Sequence, residues 1–94
     1  MIFAADDDSA IGALTGLKEA GLRVPEDVAL VGFDDIRPSR YLTPPLTTVR
    51  APIETAGREA VRQLISLIQT GKAEPEILLP TEVIIRRSCG APSE

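Results

Sequence analysis

The sequence predicts an α/β fold built on a parallel βαβ unit, extended by a long helix and a returning strand. Two apolar runs, Ile2 to Ala5 and Val28 to Phe33, flank a stretch whose apolar residues recur at helical spacing. The second run is continuously apolar, the pattern of a strand covered on both faces in a parallel sheet. The crossover between the runs is long enough to return the chain parallel to its start. With 94 residues there is material for one small domain and not for two.

Each element has its own signals. After the first run, Asp6, Asp7, Asp8 and Ser9 supply side chains that cap a helix N-terminus. Ala10, Ala13, Leu14 and Leu17 then mark one helical face, and Gly21 offers a left-handed stop. "LRVPED" is a loop, because its proline forbids further helix. Past Asp35, Pro38, Pro44 and Pro45 hold the chain extended, and Thr47 to Arg50 reads as a short strand. Pro52 stands where a helix tolerates it, at the first turn. Ile53, Gly57, Ala60, Val61, Leu64 and Ile68 form the stripe of a long helix that Gly71 ends, with Glu54 and Arg58 spaced to pair. "KAEPE" is a linker, Ile77 to Leu79 and Glu82 to Arg87 read as strand around Pro80, and the tail "GAPSE" is expected to fray.

Composition narrows the function classes. The net charge is −4, with no histidine and no block of Lys or Arg, so the basic footprint of a nucleic-acid binder is missing. Cys89 is the single cysteine, which rules out an internal disulfide and suits a reducing compartment. With no histidine to activate it, Cys89 reads as a small strand hydrophobe. The N-terminus lacks a basic region ahead of its short apolar stretch, unlike a signal peptide. No apolar run nears the roughly 20 residues that span a bilayer. The expected location is the cytoplasm, with no membrane partner, and no cofactor is implied.

Chemistry concentrates in two acidic clusters, each following an apolar run: Asp6 to Asp8, and Asp34 with Asp35. If the strands are parallel, both clusters lie at the carboxyl edge of the sheet, where open α/β folds bind ligands. Three readings compete. Carboxylates suit a magnesium ion, and "FAADDD" has the acidic spacing that opens haloacid-dehalogenase-type phosphatases, while receiver domains also gather acids on this edge. Yet both enzyme classes place a lysine by the acids, and Lys18 and Lys72 stand elsewhere. A carboxylate can instead hold sugar hydroxyls, with Phe33 as an apolar wall. The third reading is structural, since aspartate caps helices and begins turns. Serine, histidine or cysteine catalysis lacks its residues, and the chain reads as a non-enzyme.

Taken together, "FAADDDSAIGALTGLKEAGLRVPEDVALVGFDDI", "YLTPPLTTVRAPIETAGREAV" and "LLPTEVIIRRSC" resemble the LacI/GalR family of bacterial transcriptional regulators, from Ile2 to about Cys89. The resemblance implies the C-terminal portion of a periplasmic-binding-protein-like (type I) effector domain. Residues 1–50 would be the C-subdomain core, 51–75 a crossover and helix, and 76–90 the returning strand. DNA would be reached only through a domain that this chain does not contain. The implied ligand is a small-molecule effector, most often a sugar; a periplasmic sugar-binding protein shares the fold and is the alternative. By position, Phe33 and Asp34 match the family's aromatic–acid pair on the ligand. Asp6 stands where the family usually has an asparagine, and an aspartate offers no donor there. Asp8, Ala51 and Ile53 match cleft positions, and Asp35 is left to start a turn. The family dimerises through the first helix and the "YLTPP" region, which assigns Ile11, Tyr41 and Leu42 to a homodimer interface. Without the rest of the effector domain, Leu64, Ile65 and Ile68 would be uncovered. The long helix is therefore expected to repack or to dock on a partner, as in an intertwined or domain-swapped dimer.

Overall fold

The computed structural model describes residues 1–91, so the expected fraying beyond Ala91 lies outside the described residues. The chain runs β1 (Ile2–Phe3), α1 (Asp7–Glu19), β2 (Leu30–Val31), a 3-10 turn (Arg37–Tyr41), β3 (Thr48–Arg50), α2 (Ile53–Thr70) and β4 (Glu82–Ile84). It groups into two compact units. One holds Met1–Arg50 and the segment from Glu82 onward; the other is Ala51–Thr81.

In the first unit, β1 and β2 pair in parallel, with Ile2 opposite Leu30 and Phe3 opposite Val31. The α/β class and the βαβ connection are thus present. A parallel bridge joins Val31 to Thr47, and β3 pairs antiparallel with β4 through Thr48–Ile84, Val49–Val83 and Arg50–Glu82. The core is small: Ala4, Ala10, Leu14, Val24, Leu30 and Leu46 are buried, and Ala13, Leu17 and Leu42 pack against them. Helix α1 begins because Asp6 caps it, its side chain accepting from the Ser9 N–H at 2.7 Å. It ends where Gly21 takes φ +75°, donating to Lys18 O.

The strands are shorter than their apolar runs. Of Val28 to Phe33 only Leu30–Val31 is ladder-paired on the β1 side, because the chain turns at Phe33 to meet α1, whose Asp7 N–H donates to Phe33 O. Of Glu82 to Arg87 only the first three residues are strand: at Arg86 the N–H turns to Thr47 Oγ1 instead of a ladder carbonyl.

In the second unit, α2 spans 18 residues and stops at Gly71, which is left-handed at φ +73°. Its ion pair joins Arg62 to Glu59 at 2.7 Å rather than Glu54 to Arg58; exposed pairs are worth so little that neither spacing is compelled. The following segment returns along the helix, with Ser66 Oγ donating to Lys72 O (2.7 Å) and Glu74 N–H to Gln63 Oε1 (2.8 Å). Ile77 to Leu79 forms no strand, since no ladder partner lies beside it among the described residues.

Candidate functional site

The parallel pairing brings both acidic clusters to one edge. β1 leads into Asp6–Asp8 and β2 into Phe33–Asp35, and the Asp7 N–H to Phe33 O bond (2.9 Å) ties the two turns together. Spacing alone left the five carboxylates open among three readings, and the family resemblance assigned Asp6, Asp8 and Asp34 to the ligand and Asp35 to a turn. The structure separates them.

Asp7 is fully buried and is the hub. Its Oδ2 accepts from Ser39 Oγ (2.5 Å) and the Ile36 N–H (3.0 Å), while Oδ1 accepts from Thr48 Oγ1 (2.7 Å). Ser39 and Thr48 are themselves fully buried, so one carboxylate links α1, the 3-10 turn and β3. Gly32 makes room for it, since a Cβ there would collide with Asp7 Oδ1. Asp35 is a second clamp. Its side chain is 2% exposed; Oδ1 accepts from Arg86 Nη2 (2.8 Å) and Oδ2 from Arg50 Nε (2.9 Å). Burial alone would raise the Asp35 carboxyl, but the hydrogen bonds and charges of Arg86 and Arg50 outweigh it and hold it below the ordinary range. Asp6 is the helix cap, and the Ser9 backbone hydrogen bond likewise lowers its carboxyl.

Two acids remain. Asp8 lies exposed in the first turn of α1. Asp34 is half-buried beside the half-buried Phe33, and its carboxylate takes no hydrogen bond from the described residues. Its backbone has φ +114°, and Asp35 follows at +57°. Non-glycine residues avoid this region at a cost of about 1–3 kcal/mol, and such strain gathers at functional sites. The Asp34 N–H is nonetheless anchored to Val49 O at 2.8 Å. Strain, anchoring and a carboxylate without a donor among the described residues coincide on one residue.

Other assigned positions fall elsewhere. Ala51 and Ile53 belong to the second unit, where the Ile53 N–H donates to Ala51 O (2.9 Å) ahead of α2. Ile11 is half-buried on α1, Tyr41 is 70% exposed at the end of the 3-10 turn, and Leu42 leans on the core. No three acidic, cysteine or histidine groups among the described residues converge as a metal site. Asp6 and Asp7 are instead spent on cap and hub. Sequence reasoning missed Asp7, Ser39, Thr48, Ser88 and Arg86. One signal was available for part of it: paired hydroxyl residues set between apolar ones, as in "LTTV", mark a buried polar network. Ser88 Oγ donates to Leu30 O (2.6 Å) and accepts from the Thr47 N–H (2.8 Å).

Comparison with known proteins agrees with this architecture. Residues 2–89 match the periplasmic binding protein-like domain. The chain is 43% identical over 88 residues to the HTH-type transcriptional repressor MelR of Bacillus subtilis (strain 168), covering 94% of this chain and 26% of that protein. It is 44% identical over 92 residues to the lactose operon repressor of Rhizobium radiobacter, covering 98% of this chain and 81% of that one. Among solved structures, the transcriptional regulator CelR–cellobiose complex superposes with a TM-score of 0.81 at 42% identity, covering 92% of this chain and 27% of that one. A LacI family regulator from Enterococcus faecalis V583 with bound ribose gives 0.81 at 38%, covering 99% and 35%. These relatives are transcriptional regulators rather than enzymes, and the chain spans only part of most of them. The pairing of a βαβ edge with "VGFDD" and "PPLTTV" thus has its explanation: this chain belongs to the periplasmic-binding-protein-like domain family of the LacI/GalR transcriptional regulators.

Proposed function

We propose that this chain is an effector-sensing and dimerising portion of a LacI-type regulator, and that its effector is a carbohydrate. The observation that carries the reading is Asp34: a half-buried carboxylate with no donor among the described residues, on strained backbone beside Phe33, at the carboxyl edge of a parallel sheet. A carboxylate there accepts from two sugar hydroxyls, and the aromatic ring covers an apolar sugar face. Asp8 is the second acceptor. Asp6 contributes little beyond its cap, because one of its oxygens is already engaged by Ser9. The sugars bound by the related regulators, cellobiose and ribose, support the ligand class. In the whole regulator, differential affinity for the effector would shift an equilibrium between two states of a dimer. Ile11 and Tyr41 form its contact here, with Leu42 as support from the core side.

Titration of the labelled chain with D-ribose and with cellobiose, read by backbone amide shifts, tests the reading. Saturable shifts centred on Phe33 and Asp34 are expected. Asp34→Asn should weaken them about tenfold or more, as loss of charged hydrogen bonds implies. Unchanged affinity in Asp34→Asn would overturn the assignment, as would tight Mg²⁺ binding that Asp8→Asn abolishes.

A further inference from the structure

Residues 33–36 are fastened from several elements at once. The Phe33 carbonyl accepts from the Asp7 N–H, the Asp34 N–H donates to Val49 O, the Asp35 N–H to Thr48 Oγ1 (3.3 Å), and the Ile36 N–H to Asp7 Oδ2. Within this frame two consecutive aspartates hold positive φ. An L-residue leaves that region unless the surroundings reward it for staying. The Asp34 side chain gives no such reward, because no described residue donates to it. The Asp35 side chain does, through both arginines.

The two arginines differ. The Arg86 side chain is 14% exposed and doubly held, its Nη1 donating to Leu46 O at 2.9 Å while Nη2 reaches Asp35. The Arg50 side chain is 47% exposed and shared with Glu82 at 3.2 Å. Buried, charge-assisted bonds fix geometry better than exposed ones. Arg86 is therefore the fixed arm of the clamp and Arg50 the outer one. With both oxygens of Asp35 occupied, Asp34 is the one carboxylate of the "DD" pair left without a donor among the described residues.

We propose that Asp35 and Arg86 are positioning residues for ligand capture: their largely buried pair holds the left-handed segment that presents the carboxylate of Asp34. This rests on the reading of Asp34 as a sugar contact. Neither positioning residue touches the ligand.

The test uses the full chain, labelled for NMR, with Asp35→Asn, Arg86→Leu and Arg86→Lys. The three-bond HN–Hα coupling and the carbon shifts of Asp34 report its φ without any ligand, and the methyl signals of Leu30 and Leu46 report the core. Asp35→Asn and Arg86→Leu should move Asp34 out of positive φ with the core signals kept, and should weaken D-ribose shifts about tenfold. Arg86→Lys, which keeps a cation on Asp35, should restore most of both. If Arg86→Leu does not fold, the near-isosteric Asp35→Asn decides. An Asp34 that keeps its φ in Asp35→Asn overturns the inference. If neither sugar shifts the wild type, it is the sugar assignment that falls, and the Asp34 coupling still decides whether the clamp positions it.

Discussion

Asp34 and Asp7 show how differently identical side chains are used at one edge of the sheet. At Asp34 the left-handed backbone makes a prediction about sign. Glycine at an ordinary position costs about 0.5–1 kcal/mol relative to alanine. At φ +114° it relieves strain, so Asp34→Gly should leave stability unchanged or raise it by up to about 1 kcal/mol while abolishing sugar shifts. A clear loss of Tm would mean that Asp34 is not strained. Asp7 predicts the opposite. Asp7→Ala leaves the Ser39 and Thr48 hydroxyls and the Ile36 N–H without their acceptor in a buried site, at about 1–3 kcal/mol for each group left unpaired. Urea unfolding should lose about 3 kcal/mol or more, a large part of the total for a domain of this size; a loss under about 1 kcal/mol would remove Asp7 as the hub. The sequence disclosed that aspartates cluster here, and the family pattern singled out Asp34. It could not disclose Asp7's burial, because a triplet of acids looks the same whether one turns inward or none does. Only the matching hydroxyls at Ser39 and Thr48, more than 30 positions away, distinguish it.

At the scale of elements, periodicity located both helices and each run that became a strand, since burying a face is a local property of the pattern. It overestimated strand lengths, because a strand also needs a ladder partner, and partners come from distant chain. Ile77 to Leu79 has the composition of a strand and no such partner among the described residues; Val28 to Phe33 loses its ladder where Phe33 turns towards α1. The closure of β2, β3 and β4 by Asp35, Arg50 and Arg86 likewise depends on which side chains meet, and it sets a pH dependence. The Asp35 carboxyl lies below its ordinary value of about 3.9 in the folded chain. A depressed carboxyl contributes stability that is fully present above the unfolded value and is lost as pH falls through the folded one. Asp6, lowered by the Ser9 backbone bond, and Asp27, lowered by its hydrogen bonds from Arg23, act in the same direction from exposed positions. The Tm should therefore hold from neutral pH to about pH 5 and fall below it. Asp35→Asn should lower the Tm at pH 7 and flatten the fall between about pH 5 and pH 3. A variant whose acid profile parallels the wild type would show that Asp35 is not the clamp.

For the whole molecule the decisive feature is what remains uncovered. Helix α2 has no buried residue, and Val61, Leu64, Ile65, Leu67 and Ile68 are between 47% and 75% exposed. Its stripe was legible in the sequence, as was the expectation that it lacks cover; periodicity shows which face is apolar but never what lies against it. A continuous apolar face of this kind is rare on a monomer and drives association. The chain alone should self-associate as its concentration rises, and sedimentation or solution scattering should show it. Leu64→Glu combined with Ile68→Glu should suppress that association without altering the amide shifts of Phe33 and Asp34, because those residues belong to the other unit. Tyr41→Ala makes the complementary comparison: an effect of its own, additive with the α2 variant, would indicate two separate association surfaces. A wild-type chain that stays monomeric at high concentration would mean that α2's apolar face is satisfied within one molecule, and the dimer assignment of Ile11, Tyr41 and Leu42 would then have no support from this chain alone.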